Sequence, residues 1–215
     1  MFHYLKGIRA ELYRKRGQRL LVKGINDQAV KCFRKALSLS ENPENVFNLG
    51  LGLLSAMELE EAEGYLSQVV EEFPEHEISV LTYFEVLILQ EKWQAAIEQI
   101  EKLCQQYPEN IRYKEFCAMA SDVVGREKYR HEKILSHEAY QFMRQRKYGE
   151  ALEKYIAALE YLPEDLELIN NIGYIHLILN EYTQAYSYFE KALQLDPGNR
   201  KVRQNMAVVK NKLRK

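Results

Sequence analysis

Apolar residues recur at three- and four-residue intervals along most of the chain, as in "ENVFNLGLGLLSA" at 44–56 and "ELINNIGYIHLILN" at 167–180, which predicts amphipathic helices. No run alternates convincingly with the two-residue period of a strand. Each of these segments is followed by a second helical pattern, as in "KYGEALEKYIAALEYLPED" at 147–165 and "EYTQAYSYFEKALQLDPGN" at 181–199. Those last two stretches match residue type for residue type at an offset of 34: Tyr148, Ala151, Tyr155, Ala158 and Pro163 become Tyr182, Ala185, Phe189, Ala192 and Pro197.

The same phase extends upstream. Ala62, Leu66, Val69 and Pro74 repeat 34 residues later as Ala96, Ile100, Leu103 and Pro108. Ala29, Phe33 and Ala36 fit one residue short of that period. Five copies emerge, pairing a first helix, which in copies such as those of Gly50 and Gly173 carries a small residue, with a second that carries large ones. Two antiparallel helices pack closely only where one presents Gly or Ala to the other.

This arrangement resembles the tetratricopeptide repeat family, whose unit is a helix–turn–helix of this length. The last copy matches it best, with Asn171, Ile172, Gly173, Tyr182, Ala185, Phe189, Ala192 and Pro197 of the expected types. The resemblance implies an all-α, right-handed α–α superhelix. An N-terminal lobe over 1–110 would hold repeats at 10–42, 43–76 and 77–110, and a C-terminal lobe repeats at 132–165 and 166–199. Between them, "IRYKEFCAMASDVVGREKYRH" at 111–131 is expected as one unpaired connecting helix ending near Gly125. Residues 200–215, with Val202, Met206, Val209 and Leu213 on one face, predict a basic helix capping the last repeat. In the third copy Phe84 and Leu103 stand where small residues are usual, so its helices are expected to pack with altered spacing.

In this family the first helices line a concave groove for a peptide or a partner's helix. The matching positions are Arg14, Gln18, Phe47, Asn48 and Leu51 in the first two copies, and His137, Tyr140, Arg144, Asn170, Asn171 and Tyr174 in the last two, followed by Lys201. Asn and Arg can hold a peptide backbone or carboxylate, and the aromatics supply apolar contact. Arg14, Gln18 and Asn48 approximate part of the two-carboxylate clamp with which some members hold chaperone tails, but Ile78 and Thr82 stand where its two cations are expected.

Composition and charge narrow the function. Five prolines and ten glycines among 215 residues suit helix throughout, and 47% hydrophobic with 28% charged residues is globular material. No stretch approaches a transmembrane segment, and "MFHYLKGIRAELYRKRG" has no uninterrupted apolar run of a secretory signal. Cys32, Cys104 and Cys117 show no metal-ligand or disulfide spacing, which favours a reducing, cytoplasmic setting. His3, His76, His131, His137 and His176 are scattered, and no nucleotide-binding, nucleophile-elbow or HExxH motif occurs. We therefore expect no enzyme, no catalytic residue, no metal and no cofactor.

Net charge is −1, yet residues 1–40 carry ten basic and two acidic side chains, 41–110 two and fifteen, and 200–215 seven and none. That asymmetry allows a homo-oligomer in which a basic end meets an acidic body. Nucleic acid is disfavoured by the acidic middle, and peripheral membrane association has only the basic ends to support it. The expected function is a non-enzymatic adaptor or scaffold that binds a protein or peptide in its groove and can self-assemble. The alternative is a cytoplasmic chaperone holding an aggregation-prone client there.

Overall fold

Each expected hairpin is closed by the same backbone device. A computed structural model describes residues 2–214, which contain twelve α-helices and no strand. In order these are α1 Phe2–Val22, α2 Asn26–Leu39, α3 Pro43–Ser55, α4 Leu59–Glu72, α5 Glu77–Leu89, α6 Trp93–Gln106, α7 Ile111–Ser121, α8 Val123–Arg144, α9 Tyr148–Tyr161, α10 Leu166–Ile178, α11 Tyr182–Leu195 and α12 Arg200–Leu213. Within five helix–turn–helix pairs, the turn places one residue at positive φ: Gly24, Met57, Glu91, Arg146 and Asn180. The following amide reaches back five residues, as in Glu58 N–H to Leu53 O at 2.9 Å and Glu181 N–H to His176 O at 2.9 Å. This is the Schellman closure, which satisfies the last carbonyls of the first helix and reverses the chain.

Only Gly24 among these adopts the left-handed region without side-chain strain, and Asn180 tolerates it. Arg146, exposed and at φ 60°, does not. Arg146→Gly should raise stability by about 0.5–1 kcal/mol, the relief of strain being offset in part by the freer unfolded chain. Thermal denaturation of the two proteins, with Arg146→Val as a destabilised control, checks this.

The chain divides into two compact units, Met1–Arg126 and Glu127–Lys215. In the first, the ring of Phe33 from α2 lies between Gly17 of α1 and Gly52 of α3: Cβ atoms built on those glycines would fall 2.5 Å and 2.8 Å from the ring. Gly50 likewise admits Leu66, whose Cγ would lie 2.7 Å from such a Cβ. The third pair follows another rule. Phe84 replaces the small residue, is fully buried, and meets Phe116 of α7 at 5.9 Å between ring centroids.

The second unit buries two connected clusters. One joins Ala139, Ala151, Tyr155, Ala158, Leu168 and Ile172. The other joins Ile169, Phe189, Ala192 and the α12 residues Val202, Met206 and Val209. A Cβ on Gly173 would lie 2.8 Å from the Phe189 ring.

Residues 111–131 differ from the single unpaired helix expected there. α7 ends at Ser121, and Asp122 caps the next helix, its Oδ2 accepting from Gly125 N–H at 2.7 Å. The break therefore precedes Gly125 instead of following from it, and the rest of the segment forms the first turns of α8. α7 is also paired: it packs on α6, with Tyr107 and Tyr113 edge to face at 5.8 Å.

The sulfurs of Cys104 and Cys117 meet in a disulfide between α6 and α7, at a Cα separation of 7.2 Å, longer than the usual range for such a bridge. This corrects the expectation of no disulfide, and cysteine usage no longer argues for a reducing compartment. The antiparallel pairing of α6 and α7 across the loop 107–110 brought together two cysteines whose sequence spacing carries no motif. Cys32 is buried and free.

The phenol of Tyr113 donates to Glu77 of α5, and that bond together with burial pushes its pKa up to about 12, against an ordinary value near 10. The contribution of this link is therefore complete below about pH 10 and disappears as pH rises through about 12. Alkaline denaturation should begin at higher pH relative to neutral stability in Tyr113→Phe, which lacks that titration.

Candidate partner-binding site

In the first unit, the polar positions expected to meet a ligand are occupied by the chain itself. Arg14 of α1, mostly buried, pairs with Glu44 of α3. Gln18 donates its amide to Asn48 Oδ1 at 3.0 Å, and Asn48 donates in turn to the backbone oxygen of Glu44 at 2.6 Å. Asn48 is buried, so its hydrogen bonds must be satisfied internally. These three side chains brace α1 to α3. A carboxylate arriving from outside would have to compete with Glu44 for Arg14.

The apolar positions are open. Phe47 and Leu51 are half-buried on α3. On α5, Ile78 is 62% exposed while the hydroxyl of Thr82 donates to the Ile78 backbone oxygen at 2.6 Å. Phe47 stands edge-on to His76, 6.0 Å between centroids. His76 Nδ1 lies 2.6 Å from the hydroxyl of Ser79, which is fully buried.

Phe47, Val69, Phe73, Pro43 and His76 enclose a cleft of about 340 Å³ with Glu44 and Glu75 on its lining. A smaller one of about 160 Å³ shares the Pro43 and Val69 wall and adds Glu41 and Glu72. The larger lies within the range of ligand pockets.

Sequence reasoning found Phe47 but missed Phe73, Val69 and His76, which come from the end of α4 and the loop after it. A signal was present: Phe73 directly precedes the repeat's proline, and an aromatic recurs there as Tyr107.

In the second unit, Asn170 is buried and its Oδ1 accepts from Asn205 of α12 at 3.0 Å, a brace between α10 and α12. Asn171 is half-buried, while Tyr174 and Lys201 are exposed. On α8, His137, Tyr140 and Arg144 are half-buried. Burial lowers the pKa of His137, opposed by the nearby Glu138. Burial also raises the Tyr155 phenol, assisted by Glu167, Tyr140 and Glu132.

Buried Glu132 accepts from the Ser136 hydroxyl at 2.6 Å, with Lys133 Nζ 3.4 Å away. The second unit thus offers Asn171, Tyr174 and Lys201 outward, while Asn170 is spent on packing.

Among the described residues, no group of three or more His, Cys, Asp or Glu is placed to hold a metal ion, and no helix is long and apolar enough to cross a membrane.

A sequence model of the tetratricopeptide repeat family matches residues 167–199. No curated protein matches the chain. Among solved structures, a tetratricopeptide repeat protein from Parabacteroides merdae is similar at 16% identity and a TM-score of 0.50, over 94% of this chain and 84% of that one. MamA from Desulfovibrio magneticus is similar at 17% identity and a TM-score of 0.49, over 89% and 97%. The TPR2AB domain of yeast Sti1, solved in complex with an HSP90 peptide, gives 16% identity and a TM-score of 0.46, over 96% and 85%. At these identities the likeness concerns the fold alone.

Proposed function

Because residues 167–199 match the tetratricopeptide repeat and helix–turn–helix pairs recur along the chain, we propose that the protein serves as a non-enzymatic adaptor whose first helices hold a segment of a partner protein. The observation that carries this reading is the open apolar surface of α3 and α5: Phe47, Leu51 and Ile78 remain exposed or half-exposed beside a cleft large enough for a side chain. A repeat stack that buries Leu49, Leu53, Leu66 and Leu87 completely has the means to cover such residues. Apolar surface left beside a formed cleft is the usual mark of a binding site. The second unit has a candidate surface of its own in Asn171, Tyr174 and Lys201, and His137, Tyr140 and Arg144 are further candidates on α8.

The experiment is selection of peptides from a random twelve-residue library on the full chain, followed by affinity measurement on Phe47→Ala and Leu51→Ala with helical content verified. The selected peptides should bind at least about tenfold more weakly to Phe47→Ala, as expected for an aromatic at the centre of a contact. Absence of any enriched peptide, or affinities indifferent to both substitutions, would overturn the reading.

The chaperone alternative uses the same apolar surface and predicts suppression of aggregation of an unfolded client instead of stoichiometric capture of one sequence. Self-assembly draws on the contrast between the basic ends and acidic middle, and light scattering at low and high salt tests it.

A further inference from the structure

The cleft beside Phe47 has walls of one character and a rim of another. Phe47, Val69, Phe73 and Pro43 make it apolar, which suits a bulky hydrocarbon or aromatic side chain. Its rim carries Glu44 and Glu75, and the adjoining smaller cleft adds Glu41 and Glu72. All four glutamates are exposed. Of these, Glu44 is paired with Arg14, whereas Glu41, Glu72 and Glu75 form no ion pair among the described residues.

Among the described residues no cation is paired with these three. From Ala36 through Glu91 the sequence contains twelve glutamates and neither lysine nor arginine. Unpaired carboxylates grouped around an apolar mouth attract positive charge, and they repel an acidic peptide or a nucleic acid strand.

From this we infer that the cleft receives a cationic segment of a partner protein: a short stretch rich in lysine or arginine with one bulky apolar side chain, which enters between Phe47 and Phe73. The inference rests on the proposed reading of α3 and α5 as a partner-binding surface and adds the chemistry of the partner. The arrangement is the opposite of a carboxylate clamp. There, cations on the protein hold an acidic tail. Here the cation that could have served, Arg14, is locked onto Glu44, and Ile78 and Thr82 offer none. The apolar anchor would supply the larger share of affinity, because it alone leaves water completely, while the rim charges would set partner choice and association rate.

The probe is a fluorescein-labelled peptide Gly-Lys-Arg-Phe-Lys-Arg-Gly, measured by anisotropy on the full chain. Two companions replace its Phe by Ala, or its four cations by Glu. Saturable binding is expected, at least about tenfold weaker without the phenylalanine, absent with the glutamates, and weakened severalfold by added salt. The protein variant is Glu72→Gln with Glu75→Gln. Both sites are exposed and unpaired, so folding is not at stake, and affinity should fall about tenfold. Glu101→Gln, exposed on α6, should leave it unchanged.

Binding that ignores the double substitution, or that is equal for the glutamate peptide, overturns the inference. If the glutamate peptide binds and Phe47→Ala weakens it, only the charge assignment falls and the adaptor reading stands. If neither these peptides nor library-selected ones bind, both fall. If the double substitution instead abolishes self-association of the chain, the occupant is a second copy and the foreign-partner inference is overturned.

Discussion

Replacing Phe33 by alanine is expected to destabilise the first unit by about 3–5 kcal/mol, the usual cost of emptying a fully buried aromatic site. The ring is inaccessible to solvent and touches α1 and α3 at once, through Gly17 and Gly52. Neither glycine has a side chain with which to fill the space it leaves. The companion experiment is Gly17→Ala. A new methyl would start 2.5 Å from Phe33 Cε1, and the ring cannot retreat because Gly52 stands on its other side. Overpacking of this kind costs about 1–3 kcal/mol. Amide hydrogen exchange over α1, α2 and α3 is the appropriate readout, since it reports this unit separately. Unchanged protection in Phe33→Ala would show that the three helices are held by something other than this ring.

The corresponding expectation in the second unit is for coupling as well as loss. Phe189→Ala should cost about 3–5 kcal/mol, and Gly173→Ala about 1–3, because its methyl would meet the Phe189 ring at 2.8 Å. In the double variant the new methyl enters the space the ring has vacated. The combined loss should therefore be smaller than the sum by more than about 0.5 kcal/mol. Strict additivity of the two in urea denaturation would mean that α10 and α11 do not depend on this contact for their approach.

These contacts are also where the sequence was most legible. A glycine facing a large residue one helix later is a pattern of sizes, and sizes determine how closely two helices approach. The one-residue shortfall of the first copy survives into the backbone. The residues at positive φ stand at 24, 57, 91, 146 and 180, with the same intervals as Ala29, Ala62, Ala96, Ala151 and Ala185.

What escaped is of another kind. The periodicity of α3 marks Asn48 as lying near the open face, yet nothing in it says that Gln18 will take its carbonyl oxygen. Asn170 and Asn205 raise the same difficulty. A polar residue on a first helix can serve a ligand or a neighbouring helix, and only the distance between the helices decides. Residues 111–131 eluded the period because they have no second copy to be compared with. Asp122 ends one helix and begins another by a local hydrogen bond that hydrophobic spacing does not register. The Phe47 cleft was half visible, since one of its walls comes from the end of a second helix, where attention to first-helix positions does not reach.

The regular spacing of the closing turns has a consequence for how length and charge are tied together. From Glu58 to Glu91 the chain passes from just after one left-handed residue to the next, one full period. That stretch holds ten glutamates and no lysine or arginine, so a chain without it would carry a net charge of +9 in place of −1. The largest share of the counter-charge to the basic ends thus sits in a single period. Gain or loss of that one module would change the colloidal character of the molecule, whereas loss of 147–180, which joins at equivalent turns and holds two basic and six acidic residues, would shift the net charge by only four, to +3.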